Sequence, residues 1–371
     1  MKRRKNALRQ AGIYLLLLVI SPFVCAAVVR GVREPIEALT VVTTVILTET
    51  TATEVIVPIK NTFRIITDDS FIKSDGGLHI PSSRDEESDV PPESKPEENP
   101  AEGFGDYPGT DGVVDIVTYG KMSGSSYIDI GGGQIQNLTS LPPKALLETT
   151  NNTPFLRDGS PEILIYHTHA TESYLPVAAE VFDTNFPFRS TDRSINMVAV
   201  GNAMKEELEA AGFGVIHDTT LYDEESYNGS YEASRAGVKK ILAENPGIKV
   251  VLDVHRDALQ KSDSEIVAPT VKLSGKESAQ IMIVSNCTSD SLKYPIPDFK
   301  ENLSLAVRIN TEAEALYPGL MRPILFDYRQ YNQDLSPGAL LIEVGGHGNS
   351  LGQAIYAGEL FGKALGEALK E

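Results

Sequence analysis

Two kinds of segment alternate along the second half of the chain. Short apolar runs occupy residues 163–167, 213–217, 249–255, 280–285 and 339–344, with the length and composition of buried strands. Residues 195–211, 231–244, 303–317 and 354–369 read as helices, each with one apolar stripe to bury. This alternation predicts an α/β fold, a mixed, mostly parallel sheet with helices on both faces. Two shorter β-like stretches, 114–117 and 127–130, are followed by glycines that read as turns. One folded region is therefore expected over residues 113–371, with 113–160 as a short β lead-in. No internal repeat is visible.

The first third has a different texture. Lys2, Arg3, Arg4 and Lys5 precede an uncharged, mostly apolar run over residues 11–29, long enough to cross a bilayer as a helix with its basic flank inside. Residues 1–33 are thus expected to be a cytoplasmic start and a single-pass anchor in the cell membrane, with everything after Arg30 outside the cytoplasm. The small residues around Ala26 and Ala27 leave signal cleavage as the alternative. Residues 34–66, rich in Val, Thr and Ile but broken by Glu and Lys, suit short strands or an extended stalk. Between 74 and 112 the chain turns to Ser, Asp, Glu, Pro and Gly, too polar to order itself, and reads as an extended acidic linker. Residues 34–112 together form the expected stalk and linker.

Composition narrows the function classes. A net charge of −18 over 371 residues argues against nucleic acid as a partner, because phosphate binding needs a basic face. The only two cysteines, Cys25 and Cys287, allow no intrachain disulfide framework.

The chemistry collects where the apolar strands end, the usual place for ligands in open α/β sheets. Residues 163–165 run into His167-Thr168-His169 and then Glu172; residues 250–252 into Asp253, His255, Arg256 and Asp257; residues 339–342 into Glu343 and His347. Alternation along a strand would put His167 and His169 on one face. A polar turn explains any one such ending, but three isolated buried charges are costly without mutual compensation. A single metal ion would supply it. Imidazole and carboxylate donors without thiol point to zinc in a catalytic site with an open position, where bound water is acidified.

The runs His167-Thr168-His169-Ala170-Thr171-Glu172-Ser173-Tyr174, Asp253-Val254-His255-Arg256-Asp257-Ala258, Tyr331-Asn332-Gln333-Asp334-Leu335-Ser336 and Leu341-Ile342-Glu343-Val344-Gly345, in this order and spacing, resemble the stage II sporulation protein P family from about residue 113 to the end. The resemblance implies a cell-wall amidase-like fold and a membrane-anchored, zinc-dependent peptidoglycan hydrolase. Such an enzyme has N-acetylmuramoyl-L-alanine amidase activity and an associated endopeptidase activity, and acts in septal wall degradation and engulfment during sporulation. It also implies stage II sporulation protein D as a partner and the mother-cell membrane at the septum as the location. Similarity to the broader cell-wall zinc amidases assigns zinc bonds to His169 and His255 and acid–base work to Glu343. Asp192, four residues before Asn196, takes the place of the remaining ligand, with Glu172 as its competitor. The choice between His167 and His169 stays open, since the amidases' Gly-His-Gly-Gly is absent.

Further candidates are Arg256, whose fork suits a stem-peptide carboxylate or a salt bridge to Asp253 or Asp257, and Asn332 and Gln333, for substrate binding or a turn. His167 is expected to support the site or face the substrate. His217 has no partner pattern, His347 either holds Glu343 or faces the cleft, and His79 falls in the linker. Two other classes compete: a metal-dependent amidohydrolase barrel, for which the chain has too few βα units, and a catalytically inactive, membrane-anchored wall-binding protein, for which the trio His169, His255 and Glu343 is superfluous.

Overall fold

A computed structural model of the chain describes residues 110–142 and 154–370. The expected anchor and nearly all of the stalk and acidic linker, His79 included, lie outside these residues. Among the described residues no helix is long and apolar enough to cross a membrane. In chain order the strands are β1 (Gly112–Val117), β2 (Tyr127–Asp129), β3 (Gln134–Asn137), β4 (Pro161–Tyr166), β5 (Val181–Phe182), β6 (Gly214–His217) and β7 (Val250–Asp257). They continue with β8 (Gln260–Ser262), β9 (Glu265–Leu273), β10 (Lys276–Ala279), β11 (Ile281–Asn286), β12 (Ile324–Asp327) and β13 (Ala339–Gly346). The α-helices are α1 (Met197–Ala210), α2 (Ser230–Glu244), α3 (Phe299–Leu316) and α4 (Leu351–Ala368).

The principal sheet has the order β2-β3-β12-β11-β13-β7-β4-β6. From β6 through β4 and β7 to β13 every pair is parallel, and β11 then runs antiparallel to β13. Beyond it β12 and β3 run parallel to β11, and β2 returns antiparallel. The sheet is mixed and mostly parallel, as expected. Its central strands read as near-continuous apolar runs because both faces are covered: five of the six residues of β4 and seven of the eight of β7 are buried.

Alternation sorts these strands onto two cores. Ile163, Ile165, Leu252, Val254, Leu340 and Ile342 point to one face, where they pack with residues of α1, α3 and α4. Leu164, Tyr166 and Val251 point to the other and pack with Val238, Ile241 and Leu242 of α2. Each large apolar side chain fully buried here contributes about 1.5–3 kcal/mol. Helix α4 lies against α1 closely enough that a Cβ on Gly358 would come within 3.0 Å of Val200 O and one on Gly362 within 2.8 Å of Met204 O. Four residues apart, these glycines share one side of the helix. Helix α4 begins three residues before the predicted 354, where Ser350 and Gln353 form a capping box.

A smaller sheet, β10-β9-β1-β5 with β8 paired to β9, was not anticipated. Strand β1 enters it in parallel with β9, Val113 opposite Glu265 and Val117 opposite Pro269. The residues of the lead-in are thus shared: β1 completes the small sheet, while β2 and β3 extend the edge of the large one.

Candidate active site

The three parallel strands β4, β7 and β13 lie side by side, with Tyr166, Asp253 and Leu341 in register and Glu343 opposite His255 one step further. Their carboxyl ends open into a cleft of about 1050 Å³ whose lining includes His169, Glu172, His255, Arg256, Glu343 and His347. Its opposite wall comes from Phe182, Phe186 and Phe188, of which Phe182 belongs to the apolar cluster under the small sheet.

Strand β4 stops at Tyr166, and the chain turns over residues 168–171. Alternation therefore ends before the two histidines, and they face opposite sides instead of one. His167, fully buried, bonds Val254 O through Nδ1 at 2.8 Å and His217 through Nε2 at 2.9 Å. His217 in turn meets Asn202 at 2.9 Å. A Cβ on Gly201 of α1 would come within 2.7 Å of His167 Nε2, so the pair fills the space beneath α1. Neither ring lines the cleft, and the expected substrate-facing role of His167 is corrected to a packing and hydrogen-bonding one.

His169 does enter the cleft. Its ring stacks on Tyr227 with centroids 4.3 Å apart and stands edge-on to His255 at 5.3 Å. Ser230 Oγ lies 3.4 Å and Asp223 Oδ2 3.8 Å from its Nδ1. Burial pushes its pKa down to about 4, which keeps the imidazole neutral, the form a metal takes. The turn is pinned by Asp253, whose carboxylate accepts from Thr168 N at 2.8 Å and Thr168 Oγ1 at 2.7 Å. Asp223 does the same three residues on, accepting from Thr171 N at 3.1 Å and Thr171 Oγ1 at 2.6 Å. Neither aspartate was a predicted site residue. Asp253 was legible as a buried acid inside an apolar run; Asp223, in a loop, had no signal.

Glu172, buried, stands beside His255, its Oε2 3.6 Å from His255 Nδ1 and accepting from Arg256 N at 3.2 Å. Burial opposes its ionisation, but His255 and the Arg256 charge prevail and hold its carboxyl well below the usual range. Asp192, the first choice for this position, is elsewhere: it is exposed in the turn before α1, where Oδ1 accepts from Ser194 N at 2.9 Å and Ser194 Oγ at 2.7 Å. The four-residue spacing to Asn196 is satisfied by a local turn and a helix cap, Asn196 accepting from Val198 N.

His255 lies between two carboxylates. Burial disfavours its charge, yet Asp253 and Glu172 outweigh burial and raise its pKa well above the ordinary value. Its Nε2 is 2.8 Å from Asp253 Oδ1 but has no hydrogen-bond partner; the contact is close and charged while too poorly aligned to count as a hydrogen bond. Glu343 is partly buried as a residue, and its Oε2 is fully buried with no partner. Burial first, then Asp257 and Glu172, pushes its pKa up to about 8. Just beyond it β13 slips register between Glu343 and Gly346, and Gly345 adopts φ 65°. This bulge, at a conformation glycine adopts without strain, bends the strand at the site.

The remaining candidates are structural. Arg256 donates through Nε to Ser173 O at 2.7 Å and through Nη2 to Phe188 O at 2.9 Å, so it braces two loops where it lines the cleft, in place of the salt bridge to Asp253 or Asp257. Asn332, at φ 55°, donates to Tyr231 O and Ser234 Oγ, and Gln333 bridges Asn286 N and Val284 O. Both hold a turn and lie off the cleft. His347 faces the cleft, its ring edge-on to Phe188 at 5.0 Å.

Among the described residues no set of three His, Cys, Asp or Glu side chains stands ready to hold a metal ion. By chemistry, however, His169, His255 and Glu172 are two imidazoles and an ionised carboxylate without thiol, the kind of donors zinc takes, with His255 Nδ1 3.6 Å from Glu172 and the two imidazole rings 5.3 Å apart.

Two solved structures overlay loosely on the chain. The CwlD amidase from Clostridioides difficile in complex with the GerS lipoprotein is 16% identical with a TM-score of 0.34, over 56% of this chain and 94% of that one. An N-acetylmuramoyl-L-alanine amidase from Clostridium difficile 630 is 13% identical with a TM-score of 0.32, over 57% of this chain and 93% of that one. Overlap this loose carries no assignment. Stage II sporulation protein P of Bacillus subtilis (strain 168) is 33% identical over 200 residues, 51% of this chain and 46% of the relative. The match thus spans about half the length of each. The family model for stage II sporulation protein P matches residues 85–366, most of the chain and all three strand ends that carry the site, and the chain belongs to that family.

Proposed function

We propose that the protein is a zinc-dependent peptidoglycan hydrolase that cleaves the amide between N-acetylmuramic acid and L-alanine of the stem peptide. An associated endopeptidase activity belongs to the same proposal, as does action on the septal wall during sporulation. The observation that supports it most is Glu343, a carboxyl held near neutrality at the mouth of three parallel strands, beside His169, His255 and Glu172 in one cleft. A zinc ion held by these three residues would supply Lewis acidity and an acidified water.

The protein's own residues account for the rest. Glu343, with its pKa of about 8, can accept a proton from the attacking water and return it to the departing amine, since a general acid–base works best with a pKa near ambient pH. Asp253 and Asp223 fix the turn that carries His169. Arg256 fixes Glu172 and the loop at Phe188. The phenylalanine wall and the buried strand ends exclude water from one side of the cleft, which strengthens every charge interaction within it. Membrane anchoring through residues 1–33 and a partnership with stage II sporulation protein D complete the proposal.

The full chain in detergent, incubated with cross-linked and uncross-linked peptidoglycan with and without a chelator, tests it by mass spectrometry of the released fragments. Expected are stem peptides freed from muramic acid, abolished by chelator and restored by zinc. An unchanged wall in the metal-loaded sample would leave only the wall-binding reading.

A further inference from the structure

Four arginines, Arg189, Arg256, Arg322 and Arg329, line the cleft of this acidic chain. Three are engaged. Arg256 is held by the carbonyls of Ser173 and Phe188, Arg189 bonds Asp223 at 2.9 Å over the Tyr227 ring, and Arg329 bonds Asp327 and Tyr331 Oη. Arg322 differs. It is nine-tenths buried, its Nη2 donates to Asp257 Oδ2 at 2.9 Å, and its Nη1 is buried with no protein acceptor. A buried donor left unpaired costs about 1–3 kcal/mol, so it marks a place where a ligand brings the acceptor.

The fold puts that arm beside Glu343. Arg322 N donates to Ile281 O at 2.7 Å, at the start of β11, and the next residue of β11, Met282, lies opposite Glu343. From the other side Asp257, on β7, is opposite Gly346 of β13 and clamps the guanidinium by one edge. The Tyr119 ring, 5.3 Å from the guanidinium carbon, flanks the group. One edge is therefore fixed, while the residue lines the cleft with its other donor, Nη1, buried and unpaired.

We infer that Arg322 binds a free carboxylate on the peptide part of the substrate through Nη1, and so selects peptides that carry an unmodified acid close to the bond being cut. The inference rests on the hydrolase reading. A carboxylate suits the place better than a phosphate dianion. Asp257 already pairs one edge of the arginine and the Glu343 carboxyl stands nearby, and a planar monoanion matches the remaining guanidinium edge at the least repulsion.

Two soluble muramyl-peptides test it, one with its stem carboxylates free and one with them converted to carboxamides, given to the zinc-loaded full chain in detergent. The parent is expected to prefer the acid by about 10- to 100-fold in kcat/KM, the range of one charge-assisted hydrogen bond. Arg322→Gln is expected to cut the preference to under about 3-fold, and Arg322→Lys, which keeps the charge beside Asp257 but not the fork, to leave an intermediate value. Thermal unfolding checks each variant; if Arg322→Gln does not fold, the lysine variant carries the comparison. No preference in the parent, or one untouched in a folded variant, overturns the inference. If the parent cleaves neither peptide, the hydrolase reading fails, and calorimetric affinities of the same two peptides decide this inference, with the same ratios expected in Kd.

Discussion

Replacing Glu343 by Gln keeps the shape of the side chain and removes its ability to move a proton, and two consequences can be worked from the structure. The first is catalytic. A positioned general acid–base contributes about 10²- to 10⁴-fold, so kcat on peptidoglycan fragments should fall by that range while bound zinc stays at the parental level, because Glu343 is not in the donor set. The second is thermodynamic. The Glu343 carboxyl has its pKa raised from 4.5 to about 8 in the folded chain. A raised folded-state value means that the folded state binds the extra proton: the group is neutral in both states below about pH 4.5, and stability is lost as pH rises toward 8. At pH 7 that loss amounts to about 3 kcal/mol as an upper bound. Glu343→Gln, always neutral, should therefore be at least as stable as the parent at pH 7 in the metal-free protein, with an advantage that vanishes near pH 4.5. Urea unfolding at pH 4.5, 6 and 7.5 with chelator present measures it. A variant that cleaves as fast as the parent, or one that is less stable at pH 7.5 than at pH 4.5 relative to it, would refute the reasoning.

Zinc content measured after dialysis should drop to a trace in Glu172→Ala and stay stoichiometric in Asp192→Ala, whose carboxylate bonds only its own turn; the reverse pattern would return the ligand role to Asp192. Asp253→Asn loses an acceptor for Thr168 and the charge beside His255, and should weaken zinc by about 10- to 100-fold, the usual effect of removing a group that orients a ligand, as read by competition with a chromogenic chelator. Gly362→Ala places a methyl 2.8 Å from Met204 O and should destabilise the domain by about 1–3 kcal/mol through overpacking of α1 against α4, with an unchanged m-value in urea.

Much of the architecture was legible because buried parallel strands leave a local trace. Residues 163–167, 249–255 and 339–344 announced β4, β7 and β13 to within a few positions, since a strand covered on both faces must be apolar throughout. Of the small sheet only β1 left such a trace, as the β-like residues 114–117. β1 pairs with β9 across about one hundred and fifty residues, so the sheet that they share is defined by a pairing that no local pattern shows. Helix α4 was placed late because Leu351-Gly352 resembles a loop until the Ser350–Gln353 cap is seen.

At the site the division is sharper. His169, Glu172, His255 and Glu343 could be named from the sequence because acids and imidazoles that close apolar runs are costly unless they share a purpose. What each of them faces depended on the tertiary structure. One residue decides between His167 and His169: β4 ends at Tyr166, the chain turns, and one ring goes under α1 while the other enters the cleft. Glu172 and Asp192 were equal in sequence, and they were separated by where the turn before α1 points. Arg322, which the sequence did not single out, carries the buried spare donor because hydrogen bonds to Ser173 and Phe188 engage Arg256, a saturation that no spacing encodes. Local pattern specifies which residue types lie at the strand ends, whereas the direction and partners of each side chain follow from contacts between segments far apart in the chain.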